Sequence, residues 1–261
     1  MMRRFFSALH LVGIDLPRMS GSIHGLMRFG GDLRQFRALQ GQSHTQMRFG
    51  KLYPCIDDYG VEGGTATGHY FHQDLLVAQR IFEANPTRHV DVASRVDGFV
   101  AHLAVFREVE VFDIRPLTTS ARNIVFRECD VMVEIDPKYV DYCDSLSCLH
   151  SLEHFGLGRY GDRLDPDGHL KGLDNFHRIL RRGGILHLAV PIGPHRIEFN
   201  AHRVFGVPEL IRIVSERFVI RRFSFVDDAG ELHENVKLTS SDSERHFGCQ
   251  FGLGIFEMSK T

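Results

Sequence analysis

Residues 88–114 read RHVDVASRVDGFVAHLAVFREVEVFDI, and the reading of this stretch decides the fold. A short β-branched strand runs to Asp91, and the polar turn Ala93-Ser94-Arg95-Val96-Asp97-Gly98 comes after it. A helical stripe of Phe99, Leu103 and Phe106 comes next, and a second strand ends in Asp113. That order is the opening of a Rossmann-like βαβ unit, in which strand ends and a helix N-terminus meet an adenosine-bearing ligand. A carboxylate about 20 residues beyond the turn accepts hydrogen bonds from ribose hydroxyls, and Asp113 stands in that place. The turn lacks the glycine triplet of NAD and FAD sites, where a Cβ crowds either a pyrophosphate or a backbone with positive φ. An NAD-dependent enzyme is therefore the weakest of the enzymatic readings.

The pattern continues outward on both sides. HYFHQDLLVAQRIFEANP carries Phe71, Leu75, Ala78 and Phe82 at helical spacing and stops at Asn85-Pro86. Beyond it the spacing predicts strand 88–93, helix 97–106, strands 108–114, 123–129 and 144–149, helix 168–181 and strand 185–191. Such alternation predicts an α/β fold, mainly a parallel sheet with helices on both faces. Helix 168–181 has Leu170, Leu173, Phe176 and Leu180 on one side, and Arg181-Arg182-Gly183-Gly184 reads as its basic last turn and glycine cap. After a helix near 207–216, the runs 218–227 and 247–258 are expected to pair as an antiparallel C-terminal edge. Residues 1–68 read as an irregular basic extension with one or two short helices, and 69–261 as the Rossmann-like domain.

At 261 residues and 43% apolar composition the chain has a normal core. A net charge of −2 argues against nucleic-acid binding. The charge is uneven: residues 1–51 hold eight Lys or Arg against Asp15 and Asp32. That arm suits membrane headgroups, an acidic partner or the acidic remainder of the chain itself. The five cysteines, Cys55, Cys129, Cys143, Cys148 and Cys249, are odd in number and have no Cys-x-x-Cys spacing, so free thiols and a reducing cytoplasm are expected. The start, MMRRFFSALHLVGIDLP, imitates a signal peptide, but His10 interrupts its apolar stretch and no small-residue cleavage site comes after it.

In an open α/β sheet the ligand crevice lies outside the carboxyl ends of the strands, so the segment just past strand 144–149 faces the cofactor. That segment is His150-Ser151-Leu152-Glu153-His154-Phe155. Two imidazoles and a carboxylate at i, i+3 and i+4 share one face of a helical turn. The His-x-x-Glu-His order matches an inverted zinc-protease motif, which needs a continuous helix and a distant ligand. A structural role for Glu153 or His154 competes with an active-site role. Histidine titrates near neutrality, which makes His154 the leading general base. GLGRYGD at 156–162 sets Arg159, Tyr160 and Asp162 in a glycine-flanked loop with the composition of a substrate-gripping lid, and FNAHR at 199–203 adds Asn200, His202 and Arg203. His69 and His72 flank the start of the first long helix, although with sixteen histidines chance clustering competes with function.

With these pieces in order, the chain resembles class I S-adenosylmethionine-dependent methyltransferases over roughly residues 85–260. VDVAS, FDI, Cys129-Asp130, CDSLSCLHSLEH and LRRGGILHLAVP carry the resemblance. More narrowly, GHYFHQDLLVAQRIF, SRVDGFVAHL, FDIRPL, LHSLEHFGLGRYGD and FNAHR are similar to a bacterial methyltransferase-like domain family associated with surface-glycan gene sets. The resemblance implies that Asp91 anchors the turn and that Ser94, Arg95 and Gly98 border the methionine part of S-adenosylmethionine. It implies that Asp113 binds ribose, that Asp130 approaches the adenine amino group and that His150 adjoins the cofactor. LHSLEH also resembles the Glu-x-x-Glu-His segment of ubiquinone-pathway O-methyltransferases, where it is linked to a divalent metal; His150 replaces the first Glu, which argues against carrying the metal over. Ala93 stands where both groups generally show glycine. The implied activity is O-methylation of a sugar or glycan precursor. His154 is then the base, Glu153 its orienting partner and His202 a reserve base, with Arg159, Tyr160, Asp162, Asn200 and Arg203 on the acceptor. The competing reading is a Rossmann-like scaffold in glycan assembly that has lost catalysis.

Overall fold

Short β-branched runs alternating with amphipathic ones close into an eight-stranded sheet, and the order of its strands creates the site. The strands are β1 (His89–Val92), β2 (Val109–Asp113), β3 (Ile124–Glu128), β4 (Cys143–Leu149), β5 (Leu180–Ile192), β8 (Phe218–Val226), β9 (Leu232–His233) and β10 (Gly252–Lys260). A two-stranded hairpin, β6 (Arg196–Glu198) and β7 (His202–Val204), stands apart from it. The sheet order is β3-β2-β1-β4-β5-β10-β8-β9. The strands β1 to β5 are mutually parallel, whereas β10 runs antiparallel between β5 and β8. The chain order reverses between β1 and β4, so a ligand crevice opens outside their carboxyl ends.

The computed structural model describes residues 16–42 and 47–261, with side chains from residue 21. Two units divide it, Met1–Thr65 and Ala66–Thr261. The signal-peptide-like start, residues 1–15, lies outside the described residues. In the first unit the expectation of an irregular segment with short helices is corrected, because Leu16–Gln40 forms one helix of 25 residues, α1. The chain returns along it: Phe49 meets Phe36 edge-on at 5.9 Å, and the Arg28 guanidinium lies 3.7 Å above the Tyr59 ring. A Cβ on Gly25 would stand 2.6 Å from the Ile56 carbonyl oxygen, so only glycine allows that approach.

In the second unit helices cover both faces of the sheet. One face packs Val90, Val92, Leu146, Leu186 and Leu188 under α4 (Gly168–Ile179) and α5 (Val207–Ser215). The other packs Val111, Leu149, Ala189 and Ile255 under α2 (His69–Ala84) and the helical segment Val96–Ala104, whose last four residues are α3 (Ala101–Ala104). A short α6 (Ser240–Glu244) precedes β10.

Three local expectations need correction. Of the stripe Phe71, Leu75, Ala78 and Phe82 in α2 only Ala78 is buried; the other three face outward, and the buried side is Gln73, Asp74, Leu76, Val77, Ala78, Arg80 and Ile81. Among its polar members Arg80 donates to Ser224 Oγ at 2.9 Å and lies 3.9 Å from Glu257. Second, no glycine caps α4. Leu180 is already extended, and Gly183, with φ 74°, belongs to a bulge that shifts the β4–β5 register between Cys143 and Ser145. Third, the last strand begins at Gly252, after a short turn over His246–Gly248.

Candidate functional site

The turn after β1 is held by a buried carboxylate. Asp91 accepts hydrogen bonds from Ser94 N (3.0 Å), Ser94 Oγ (2.6 Å) and, across the sheet, Ser147 Oγ (2.6 Å). Burial raises its pKa to about 6, against the lowering effect of these donors. The Ser94 hydroxyl also accepts from Leu149 N at 3.0 Å, so it ties the turn to β4 and faces inward rather than toward a ligand. Ala93 adopts φ 57°, so the backbone is left-handed there, at a cost of roughly 1–2 kcal/mol for an L-residue. Ser151 donates to the Ala93 carbonyl and Ala93 N donates to Phe112 O, fixing the strained residue from two sides. Arg95 points outward, paired with Asp97 and 5.1 Å over the Tyr70 ring. Gly98 lies against α2, where a Cβ would meet Asp74 Oδ2 at 2.9 Å.

Beside this turn is a cavity of about 50 Å³. Asp113 and Arg115 after β2, Asp130 and Met132 after β3, Ala93, Ser151 and His154 line it, with Val92, Phe112 and Phe155 as apolar wall and Tyr160 and Asp162 at its side. The ends of adjacent strands thus bring both acids to one hollow. Arg115 holds Asp113 through Nε (3.0 Å) and Nη2 (2.6 Å), and its guanidinium lies 4.5 Å from the centre of the Tyr160 ring. Asp130 accepts from Met132 N at 2.8 Å through one oxygen.

The segment after β4 differs from the single helical face that its spacing suggested. His150 is left-handed, φ 55°, and only Leu152–His154 form a turn of 3₁₀ helix, so the two imidazoles flank Glu153. His150 Nδ1 is 2.6 Å from Glu153 Oε1, and His154 Nε2 is 3.7 Å from the same atom. Glu153 is wholly buried. Burial pushes its carboxyl up, but the charge and hydrogen bond of His150, with help from His154, pull it below the usual range. Its second oxygen, Oε2, has no hydrogen-bond partner. His154 donates from Nδ1 to the Ala201 carbonyl at 2.7 Å, which leaves the lone pair of the neutral ring on Nε2. Burial lowers its pKa, so at neutral pH it is an unprotonated base.

The other expected site residues divide into those at the cavity and those that build it. Tyr160 meets His154 edge-on at 5.3 Å, and the exposed Arg159 donates to Ala201 O at 3.0 Å. Asp162 accepts from Gly156 N, Gly158 N and Tyr160 N, and so shapes its own loop. Arg203 is buried and donates to the carbonyls of Glu153, Phe155 and Pro166, clamping three loop positions. Asn200 is exposed at the hairpin tip with φ 64°. His202 packs on Phe251 at 4.9 Å and lies 3.2 Å from Glu198, away from the cavity lining.

Residues of α2 adjoin this segment, and of these the sequence pattern had singled out His69. His69 Nδ1 is 3.1 Å from His150 Nε2, its ring lies 5.5 Å from the Phe251 ring, and Tyr70 stacks on His150 at 4.8 Å. His69, Tyr70, Gln73 and Asp74 project from one face of α2, a spacing of i, i+1, i+4 and i+5 that was legible as a polar face. Among the described residues no three His, Cys, Asp or Glu side chains converge as metal ligands, and His150 and Glu153 are spent on each other. The residues present do not fit a resident divalent metal.

Comparison with known proteins matches this geometry at the level of the fold. The second unit has the Rossmann-like fold of class I methyltransferases. A 1,6-didemethyltoxoflavin-N1-methyltransferase from Burkholderia thailandensis, solved with S-adenosylhomocysteine, is 17% identical, with 72% of this chain and 78% of that chain covered and a TM-score of 0.51. The [4+2]-cyclase SpnF is 13% identical over 72% of this chain and 80% of that chain, with a TM-score of 0.53. A methyltransferase and a cyclase on one scaffold mean that the reaction has to be argued from the site. A family model described as a Caenorhabditis protein of unknown function, DUF268, matches residues 122–249. No curated protein matches in sequence.

Proposed function

We propose that the protein transfers a methyl group from S-adenosylmethionine to a hydroxyl oxygen of a sugar or glycan precursor. The observation that carries the reading is that Asp113 and His154 line one cavity, next to the turn after β1. A ribose-binding carboxylate and an unprotonated imidazole are thereby within one ligand's reach. Asp130 adjoins them for the adenine amino group, and Asp91, saturated by Ser94 and Ser147, serves as anchor. S-adenosylmethionine, when bound, supplies an electrophilic methyl carbon on a sulfonium.

The chain's own part is to hold the acceptor in line and take its proton. As the oxygen–carbon bond forms and the carbon–sulfur pair returns to sulfur, the hydroxyl proton passes to His154 Nε2. The Ala201 carbonyl holds that ring in its tautomer, and the Glu153 carboxylate, 3.7 Å away, favours the imidazolium that results. Arg159 and Tyr160 stand beside His154 to grip acceptor hydroxyls. Free thiols at all five cysteines suit a cytoplasmic protein. The basic arm supplies a surface for anionic membrane headgroups. No described helix is long and apolar enough to cross a membrane.

A second reading, a non-catalytic scaffold, has one observation in its favour: Arg115 occupies Asp113, and about 50 Å³ falls well under the roughly 300 Å³ of a pocket for such a ligand. Release of S-adenosylhomocysteine in the presence of a panel of glycan acceptors separates the two. The enzyme reading expects product with wild type and none with His154→Gln, while both bind S-adenosylhomocysteine alike. Binding without turnover on any acceptor favours the scaffold, and no binding at millimolar ligand rejects methyl transfer.

A further inference from the structure

We propose that β3 (Ile124–Glu128), the open edge of the sheet, pairs antiparallel with β3 of a second copy of this chain, so that one sheet continues across a two-fold axis. The two edges of the sheet differ. At one, β9 is two residues long and offers little to a further strand; at the other, β3 has five residues in unbroken register with β2 and, among the described residues, no strand beyond it. Such an edge is a template for another strand unless proline, a bulge or an outward charge blunts it. β3 has neither proline nor register shift, and its one cation, Arg127, lies 3.7 Å from Glu110 of the neighbouring strand.

The ladder shows which backbone groups lack a partner. Val109 N donates to Asn123 O at 2.9 Å and Cys129 N to Asp113 O at 3.1 Å, so the odd-numbered residues of this stretch bond β2, and Ile124, Phe126 and Glu128 turn their backbone groups outward. The Ile124 N–H is taken by Ala121 O at 3.3 Å; the Ile124 carbonyl and both backbone groups of Phe126 have no hydrogen-bond partner among the described residues. The sequence around them, Arg122-Asn123-Ile124-Val125-Phe126-Arg127-Glu128, complements itself when reversed about Val125. Ile124 then stands opposite Phe126 of the second copy, each Phe126 N–H meets the other copy's Ile124 carbonyl, and Arg122 comes level with Glu128 twice over. Arg122 and Glu128 are exposed and, among the described residues, belong to no ion pair. A shift of two residues in either direction sets Glu128 against Ile124 or Arg122 against Phe126, so charge selects this register. The same patch serves both copies, and the contact closes at two chains.

Analytical ultracentrifugation of the full chain over a concentration series tests the pairing. Wild type is expected to be a reversible dimer. Arg122→Glu and Glu128→Arg each set like charges against one another at both ends of the contact, and each should weaken the dimer roughly tenfold or more. The double variant restores opposite charges in reversed order and should return to within about threefold of wild type. Such a rescue separates a broken interface from a damaged fold, since a misfolded single variant is not repaired by a second surface charge. A wild type that stays monomeric up to about 100 μM overturns the proposal. So does a dimer that neither single reversal weakens, which would be held by another surface, or a double variant no tighter than the single ones.

Discussion

His69 Nδ1 and His150 Nε2 lie 3.1 Å apart across 81 positions of sequence. Because the Glu153 carboxylate can only accept, His150 donates to it from Nδ1 at 2.6 Å. The Nε2 of the neutral ring is then the acceptor, and His69 donates to it from Nδ1. Two imidazoles and a carboxylate form one chain.

Removal of the donor at His69 strands a buried acceptor of His150. His69→Phe keeps the ring stacking and is expected to lower stability by about 1–3 kcal/mol in chemical denaturation, whereas His69→Asn, which retains a donor, recovers part of it. Equal stability of the two variants would show that the hydrogen bond adds nothing.

Asp113→Asn keeps the shape of the β2 end but removes the anion that ribose hydroxyls would meet. The affinity for S-adenosylhomocysteine should fall roughly tenfold in calorimetry. Its stability should change by less than about 1 kcal/mol, because the Arg115 partner is half-exposed. A large loss of stability with unchanged affinity would assign Asp113 to the fold alone.

Ala93 is left-handed at φ 57° and lines the cavity, so Ala93→Gly relieves strain and opens space at once. Relief of roughly 1–2 kcal/mol, offset by the roughly 0.5–1 kcal/mol by which glycine favours the unfolded chain, predicts a net gain of up to about 1.5 kcal/mol. A thermal midpoint that falls would contradict a left-handed backbone at this position.

Stability should decline below about pH 6.5. Burial lowers the pKa of His187 to about 3, and burial likewise holds His69 and His169 at about 4. A histidine resisting protonation in the fold stabilises it above the unfolded value of 6.5, and that stability is lost as pH falls toward the folded value. Asp91, raised to about 6, acts oppositely: the cost of its charge is present above that pH and disappears on acidification toward 3.8. Three histidines outweigh one carboxyl, by on the order of a few kcal/mol. Denaturation midpoints at pH 7.5, 6 and 5 should fall in that order; a midpoint that rises on acidification would reverse the balance.

The parallel core was legible because β1 and β2 are valine-containing runs with the acids Asp91 and Asp113 at their carboxyl ends, and β4 is a short run of small and apolar residues. The orientation of α2 was not. Of its most regular apolar row Phe71, Leu75 and Phe82 point out, while Leu76, Val77, Ala78 and Ile81 point in onto the apolar face of the sheet, with Gln73, Asp74 and Arg80 buried among them and Arg80 reaching Ser224. Helix α1 hid behind Gly21, Gly25, Gly30 and Gly31, which depress helix propensity locally. At the site, His154, Asp113 and Asp130 could be picked by their place after strands. Arg203 and Asp162 could not be told from substrate-binding groups, since what fixes them is hydrogen bonding to backbone made adjacent only by the fold. His150 was expected on a helical face with Glu153 and His154, and its left-handed backbone, rare outside glycine, takes it out of the helical turn that Leu152–His154 form.

The most direct measurement is a crystal structure of the full chain grown with S-adenosylhomocysteine. The account predicts the adenosine between Asp113 and Asp130, the Arg115–Tyr160 pair displaced to admit it, and the sulfur directed toward His154. Adenosine bound elsewhere on the molecule, with Asp113 still held by Arg115, would contradict it.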